Sequence, residues 1–147
     1  MINGKGLAII KHYEGCFYNP YLDPVGIPTI GYGSIYGLDF NRIDMDHRRI
    51  TPSEATGLLI RECQEAERRL AGLVRVPLTR NQRSALISFI YNVGSGNFQR
   101  STMRMKLNRQ DYTGAVNEFW KWRRAGGRIL RGLVLRRESE KQLFMEK

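Results

Sequence analysis

The sequence predicts an α+β fold in which a small β-hairpin lobe is inserted between an N-terminal helix and a larger helical lobe. Residues 16–40 predict the hairpin lobe, because aromatic and β-branched side chains alternate there with Gly, Pro, Asn and Asp. Helical periodicity precedes this stretch and returns after residue 51. We therefore expect a single domain over residues 1–147, with the β lobe at about 16–50 and the helical lobe at about 51–147 together with the N-terminal helix. The seam between two such lobes is a natural cleft.

The first part of the chain predicts a helix followed by a hairpin. Residues 4–13 have apolar side chains at helical spacing, and Gly15 can take the left-handed conformation that ends a helix. The segment 23–26, Asp-Pro-Val-Gly, predicts a turn, and residues 29–33 predict the strand that follows it.

Two capping boxes mark the starts of helices in the second part of the chain. Thr51 with Glu54 opens the first, and Thr79 with Gln82 opens an apolar helix that ends at Gly94. A third helix is predicted over residues 112–122, ended by the glycine pair 126–127. The last helix starts near Gly132 and is predicted to place one set of side chains on a common side: Leu133, Val134, Arg137, Lys141 and Phe144.

The balance of charge is the strongest compositional signal. Lys and Arg number 24 against 14 Asp and Glu, which gives a formal charge of +10 and favours polyanionic partners. No apolar run is long enough for a signal peptide or a membrane-spanning helix, so we expect synthesis in the cytoplasm without a cleavable signal.

The cysteines and histidines do not have the spacing of a metal site. We expect no metal and no organic cofactor, and free thiols at Cys16 and Cys63. Cys16 lies two residues after Glu14, so a redox effect on that region is one interpretation and a buried filler is the other.

Glu14 is an unusual residue for its position. It stands near the end of the first helix, where a carboxylate faces the negative end of the helix dipole. Shielded from water by the neighbouring Tyr13, Phe17 and Tyr18, it would hold its proton nearer neutrality and could serve as a general acid. The alternative is a solvated carboxylate at a helix end.

Asp23 and Thr29 follow Glu14 at intervals of nine and six residues. Asp23 lies in a turn and would stay hydrated and ionised, and Thr29 would direct a small hydroxyl group into the same cleft. Two carboxyl groups in contrasting environments are what the hydrolysis of a glycosidic bond requires. The alternatives are an Asx-turn aspartate and an ordinary strand threonine.

Three ordered motifs add a resemblance to a known family. They are Glu14-Gly15 with Asp23, Thr29 and the sequence IGYG at 30–33, then NVGSGNF at 92–98, then a segment from Trp122 to Glu140 that contains Gly126-Gly127, Gly132-Leu133 and Arg136-Arg137. Over nearly the whole chain this pattern resembles the phage-type lysozymes, the endolysins of glycoside hydrolase family 24. The resemblance implies a lysozyme-like fold with the active-site cleft between the two lobes.

The resemblance also implies an activity and roles for residues. The activity is that of a muramidase, which hydrolyses the β-1,4 bond between N-acetylmuramic acid and N-acetylglucosamine in bacterial peptidoglycan with inversion and so lyses the host of a bacteriophage. Glu14 would be the general acid, while Asp23 and Thr29 would position the attacking water. Five residues would bind substrate: Gly33, Ile35, Tyr91, Ser101 and Asn117. For Tyr91 and Asn117, ordinary helix packing is the alternative.

The chain departs from the family at Ser34, where many members have a histidine, so any ion pair of that histidine is absent. The family also leads us to expect that either Arg136 or Arg137 approaches Glu14, and the sequence does not decide which. The partner would be the glycan strands of peptidoglycan, reached by a monomer in the host cytoplasm after a membrane-opening protein, a holin, has acted. No nucleic acid is implied.

A cationic protein that binds membranes or nucleic acid without catalysis is the alternative function. Six arginines in the C-terminal segment favour it: Arg123, Arg124, Arg128, Arg131, Arg136 and Arg137. No zinc-finger spacing and no RNA-binding aromatic motif accompanies them, and a charged segment of this kind is usually a solvated surface. Membrane disruption of this kind would survive the loss of Glu14.

Overall fold

The computed structural model describes residues 1–147 and contains seven α-helices and two short β-hairpins. The helices are α1 (Gly4–Glu14), α2 (Pro52–Leu73), α3 (Arg80–Val93), α4 (Ser95–Gln99), α5 (Thr102–Asn108), α6 (Tyr112–Val116) and α7 (Arg131–Met145). The strands are β1 (Phe17–Leu22), β2 (Pro28–Gly31), β3 (Arg124–Ala125) and β4 (Arg128–Ile129). None of the helices combines the length and the apolar character that a membrane crossing requires.

Contacts between residues divide the chain into two compact units. The hairpin unit comprises Glu14–Glu62, and the helical unit comprises Met1–Tyr13 with Cys63–Lys147. The boundary at Glu62 falls inside α2, because the first turns of that helix supply apolar side chains to the core of the hairpin unit. The organisation as a single catalytic domain stays a prediction.

The hairpin of the second unit is antiparallel and tightly turned. Tyr21 lies opposite Thr29 across the two strands, and the pairing is irregular between Phe17 and Tyr21. The predicted turn is confirmed, since the amide of Gly26 donates to the carbonyl of Asp23 at 2.9 Å. The second strand is shorter than predicted and ends at Gly31, whose φ of +67° turns the backbone out of the extended conformation.

A small apolar cluster forms the core of the hairpin unit and packs against the β1–β2 hairpin. Its buried members are Ile30, Ile43, Ile50, Ala55 and Leu58. Cys16 packs against the cluster and Cys63 is buried, and neither cysteine is part of a disulfide bond. Ser34 is fully buried beside Ile30, with which it exchanges two backbone hydrogen bonds, but its hydroxyl group has no hydrogen-bond partner. An unsatisfied buried hydroxyl costs about 1–3 kcal/mol, which is a local cost of this departure from the family pattern.

The helical unit is organised around α3. The capping box predicted at its start is confirmed, because the Thr79 hydroxyl accepts from the Gln82 amide and the Gln82 side chain accepts from the Thr79 amide. Buried residues occupy every position from 84 to 90. Phe89 makes edge-to-face contacts with three other aromatic rings, those of Phe98, Phe119 and Trp122. The helix ends at Gly94, as predicted, with a φ of +90°.

Helix α7 presents charged side chains to the interior of this unit. The Glu140 carboxylate is completely buried and accepts a hydrogen bond of 2.6 Å from the Ser88 hydroxyl. Arg136 and Arg137 are each only 2% exposed, and their Nε atoms lie 3.3 and 2.7 Å from the Glu140 oxygens. Arg136 also donates to the Ser88 carbonyl at 3.1 Å, and the Arg137 guanidinium lies 5.0 Å from the centre of the Phe89 ring.

Three predictions for the C-terminal third of the chain were wrong in detail. The helix expected over 112–122 is divided into α6 and a 3₁₀ turn, Phe119–Lys121, in which amides donate to the carbonyls three residues earlier. The buried carboxylate of Glu118, between the two segments, bonds to Lys106 and Lys121. These bonds favour the tighter turn over a continuous helix. The glycine pair 126–127 forms the turn of the β3–β4 hairpin, since both glycines have positive φ. Val134 is 39% exposed and does not belong to the buried side of α7, which the arginines occupy.

The stability of the first turn of α2 depends on pH through Glu54. The Arg48 guanidinium and the Thr51 amide lower the pKa of Glu54 from 4.5 to about 2. The stability that this carboxylate contributes is therefore present above pH 4.5 and lost as the pH falls from there towards 2. We expect Glu54→Gln to keep the cap, as Gln82 does at α3, but to remove the titration. Between pH 5 and pH 2 the thermal midpoint of the variant should fall less steeply than that of the wild type. Parallel curves would contradict this role.

Candidate active site

The three residues predicted to carry the chemistry all lie in the hairpin unit. Glu14 is the last residue of α1 and is half-buried, Asp23 follows β1 directly, and Thr29 is a buried residue of β2. Gly15, with a φ of +68°, turns the chain from α1 into β1. The tight hairpin then returns Thr29 to a position opposite Tyr21, two residues before Asp23.

Asp23 is held in one orientation by the turn that it begins. Its Oδ1 atom accepts hydrogen bonds from the amides of Val25 (2.9 Å) and Ile27 (2.8 Å). The Asx-turn interpretation of this residue is therefore correct as a description of its local structure. It is compatible with a chemical role, because both amides use the same oxygen and Oδ2 is left for another donor.

The backbone of Ile27 also fixes Thr29. The Thr29 hydroxyl donates to the Ile27 carbonyl at 2.8 Å, and the same carbonyl accepts the Asp23 amide at 3.0 Å. Asp23 and Thr29 are thus both anchored to the peptide groups of one residue. Since the Thr29 proton is used in this bond, the oxygen lone pairs that remain can only accept.

Gly33 lies next to the carboxyl group of Glu14. A Cβ atom built on Gly33 would be 3.8 Å from Glu14 Oε2, and the φ of +102° at this position disfavours any side chain. The glycine therefore leaves one side of the carboxyl group uncovered. Ile35 is half-buried in the segment after Gly33, and its carbonyl accepts the Ile43 amide at 2.8 Å.

The other three predicted substrate-binding residues belong to the helical unit. Tyr91 is half-buried on α3, and Asn117 is exposed at the end of α6. Ser101 is the N-cap of α5, where its hydroxyl accepts from the Arg104 amide and donates to the Phe98 carbonyl. Arg136 and Arg137 bind Glu140 within the same unit, and the approach of either one to Glu14 stays a prediction.

Tyr21 is a site residue that the sequence analysis did not identify. Burial raises the pKa of Tyr21, and the negative charges of Glu14 and Asp23 raise it further. The Tyr21 hydroxyl therefore stays protonated at neutral pH. The signal for this placement was the position of Tyr21 only two residues before Asp23, at the end of β1.

The family model for phage lysozyme matches residues 11–140 of the chain. The chain belongs to the phage lysozyme family. An endolysin of Acyrthosiphon pisum secondary endosymbiont phage 1 is 39% identical over 147 residues, which cover 97% of each protein. The endolysin of Salmonella phage P22 is 37% identical over 144 residues, with 98% of this chain and 97% of that protein covered. A crystal structure of a P22 lysozyme mutant matches with a TM-score of 0.89 and 36% identity, covering 99% of both chains.

Membership of the phage lysozyme family confirms the predicted α+β, lysozyme-like fold. It also confirms the general function: the protein is a lysozyme of the endolysin type, a hydrolase that acts on bacterial peptidoglycan. The cationic binding protein without catalysis is thereby replaced as the primary function. The roles of individual residues stay predictions.

Adding a methyl group at Gly33 tests whether the uncovered side of the Glu14 carboxyl group is needed for activity. In Gly33→Ala the positive φ costs about 1–2 kcal/mol of stability, and the new methyl group contacts Glu14 Oε2. We expect lytic activity to fall about tenfold or more, since the methyl group would occupy the uncovered side of the carboxyl group and misplace a substrate oxygen that approaches it there.

Gly94→Ala is the matched control for this substitution. Gly94 has a similar φ of +90°, but nothing lies within 4 Å of the position of its Cβ atom. It should lose comparable stability in urea denaturation and keep its activity. Equal activity losses in the two alanine variants would mean that strain alone is responsible.

Proposed function

We propose that this lysozyme hydrolyses the β-1,4 bond between N-acetylmuramic acid and N-acetylglucosamine with Glu14 as general acid and with Asp23 and Thr29 holding the attacking water. The observation that carries the proposal is the common anchoring of Asp23 and Thr29 to Ile27. It presents two oxygen acceptors, Asp23 Oδ2 and Thr29 Oγ1, that the hairpin holds at a fixed spacing.

Glu14 supplies the proton in this scheme. Its half-buried position beside an uncovered glycine supports the role, because a leaving oxygen can approach the carboxyl group where a side chain would otherwise lie. A general acid must come within hydrogen-bond distance of the oxygen that it protonates. The proton passes from Glu14 to the glycosidic oxygen as the bond to the anomeric carbon breaks.

Asp23 and Thr29 act on the water. A water molecule that donates one hydrogen to Asp23 Oδ2 and the other to Thr29 Oγ1 keeps a lone pair for the anomeric carbon. Asp23 accepts the proton that the water loses, and attack from the side opposite the leaving group inverts the configuration. The hydrogen bond from the Thr29 hydroxyl to Ile27 supports this arrangement, since it prevents the threonine from competing as a donor.

The remaining expectations extend this proposal. Gly33 and Ile35 in the hairpin unit, and Tyr91, Ser101 and Asn117 in the helical unit, stay predicted contacts of the glycan strand. For Ser101 the helix cap competes with a substrate contact, because its hydroxyl already makes two hydrogen bonds. Synthesis in the cytoplasm, dependence on a holin and the monomeric state also stay predictions.

Two isosteric substitutions separate the chemistry from the fold. Glu14→Gln keeps the shape but has no proton to transfer, so we expect clearing of permeabilised cells to fall at least ~10²-fold. Asp23→Asn can still accept both amide hydrogen bonds through its carbonyl oxygen, so the turn should persist while activity falls by a similar factor. Both unfolding free energies should stay within about 0.5 kcal/mol of the wild type.

Glu138→Gln provides the control, because it makes the same chemical change at an exposed position of α7. Its activity should match that of the wild type. Near-normal clearing by folded Glu14→Gln protein would contradict the proposed role of Glu14. It would favour lysis by membrane disruption through the positive charge, without catalysis.

The stereochemical part of the proposal has its own measurement. An inverting enzyme acting on a β-linked glycan releases the α-anomer of the new reducing end before mutarotation. NMR spectra recorded in the first minutes of cleavage of a soluble glycan fragment should show an excess of that anomer. An initial excess of the β-anomer would indicate a retaining route with a covalent intermediate.

A further inference from the structure

The face of the hairpin that carries Thr29 also carries Tyr21. The two residues are direct cross-strand partners in the β1–β2 register. Side chains of such partners stand on the same face of a sheet with Cβ atoms roughly 4.5–5.5 Å apart. The Tyr21 ring is held there by Phe17, whose ring centre lies 4.5 Å away. The phenol group is therefore a positioned part of the same surface as Thr29.

The hydroxyl group of Tyr21 can donate a hydrogen bond where its neighbours Asp23 and Thr29 cannot. Asp23 can only accept, and the Thr29 proton is already given to Ile27. The Tyr21 hydroxyl makes no hydrogen bond to another group of the protein, and burial raises the pKa of the phenol. The protonated phenol thus has a hydrogen that it can donate to a ligand.

We propose that Tyr21 binds substrate by donating a hydrogen bond to an uncharged oxygen of the sugar that lies between Glu14 and Asp23. This inference rests on the proposed function, since it uses the same two carboxylates to locate the sugar. The charges determine which oxygen is accepted. The negative charge of Asp23, two residues from Tyr21, would repel the lactyl carboxylate of muramic acid, so the acceptor is a hydroxyl or acetamido oxygen.

Tyr21→Phe removes the hydroxyl and keeps the ring against Phe17, so it isolates the proposed bond. One hydrogen bond to an uncharged acceptor corresponds to a loss of roughly 3- to 10-fold in affinity. We expect kcat/KM for lysis to fall by that factor. The unfolding midpoint should match that of the wild type, because the hydroxyl makes no hydrogen bond to the fold.

Tyr18→Phe is the matched control in the same strand. The Tyr18 ring packs against the core of the hairpin unit and lies under the Arg49 guanidinium, 5.4 Å from the ring centre. Removing its hydroxyl should leave kcat/KM unchanged. Wild-type kcat/KM in Tyr21→Phe, or an equal loss in Tyr18→Phe, would overturn the proposal.

A binding measurement makes this test independent of catalysis. The probe is a tetrasaccharide of alternating N-acetylglucosamine and N-acetylmuramic acid, titrated calorimetrically into Glu14→Gln protein with and without Tyr21→Phe. The Kd should rise 3- to 10-fold when the Tyr21 hydroxyl is absent and should not change with Tyr18→Phe. An unchanged Kd in the Tyr21→Phe protein overturns the inference. Failure of the proposed function would appear differently, as full lytic activity of Glu14→Gln.

Discussion

The buried carboxylate of Glu140 is the centre of a hydrogen-bonded group that joins α7 to α3. A charge with no exposure to water is tolerated only when donors surround it, and here two arginines and the Ser88 hydroxyl do so. Each arginine then fixes a further element. Arg136 reaches the backbone of α3, and Arg137 lies over Phe89. The position of α7 against α3 is thus set by directional bonds, and removing one member of such a buried group typically costs about 3–5 kcal/mol.

The hairpin unit must hold its side chains in place with only two short strands. A two-stranded hairpin is marginally stable by itself, and the apolar cluster around Ile30 and Leu58 provides the support that its strands lack. Precision at the site comes from the backbone of Ile27, whose amide binds Asp23 and whose carbonyl binds Thr29. Because the partner groups are backbone atoms that the turn already orders, this anchoring adds only the loss of rotamer freedom of the Asp23 and Thr29 side chains.

Part of the excess positive charge lies on one exposed segment of the protein. Arg124 and Arg128 are exposed on the β3–β4 hairpin, and Arg123 covers the ring of Trp120 at 4.7 Å. A net charge of +10 favours encounter with anionic surfaces, and salt screens that attraction over about 10 Å at 0.1 M.

The sequence by itself determined the features that depend on local chemistry. The caps at Thr51 and Thr79 and the turn at Asp23 could be predicted, because hydrogen bonds between near neighbours define them. Tertiary structure decided the rest. Tyr21 joined the site through a cross-strand register, and the helix expected over 112–122 was broken around a carboxylate that bonds to Lys106 on α5. The buried side of α7 carries Arg136, Arg137 and Glu140, which pair with one another within the helix and also bond to Ser88 on α3. A one-dimensional pattern of apolar residues carries no information about a partner on another helix.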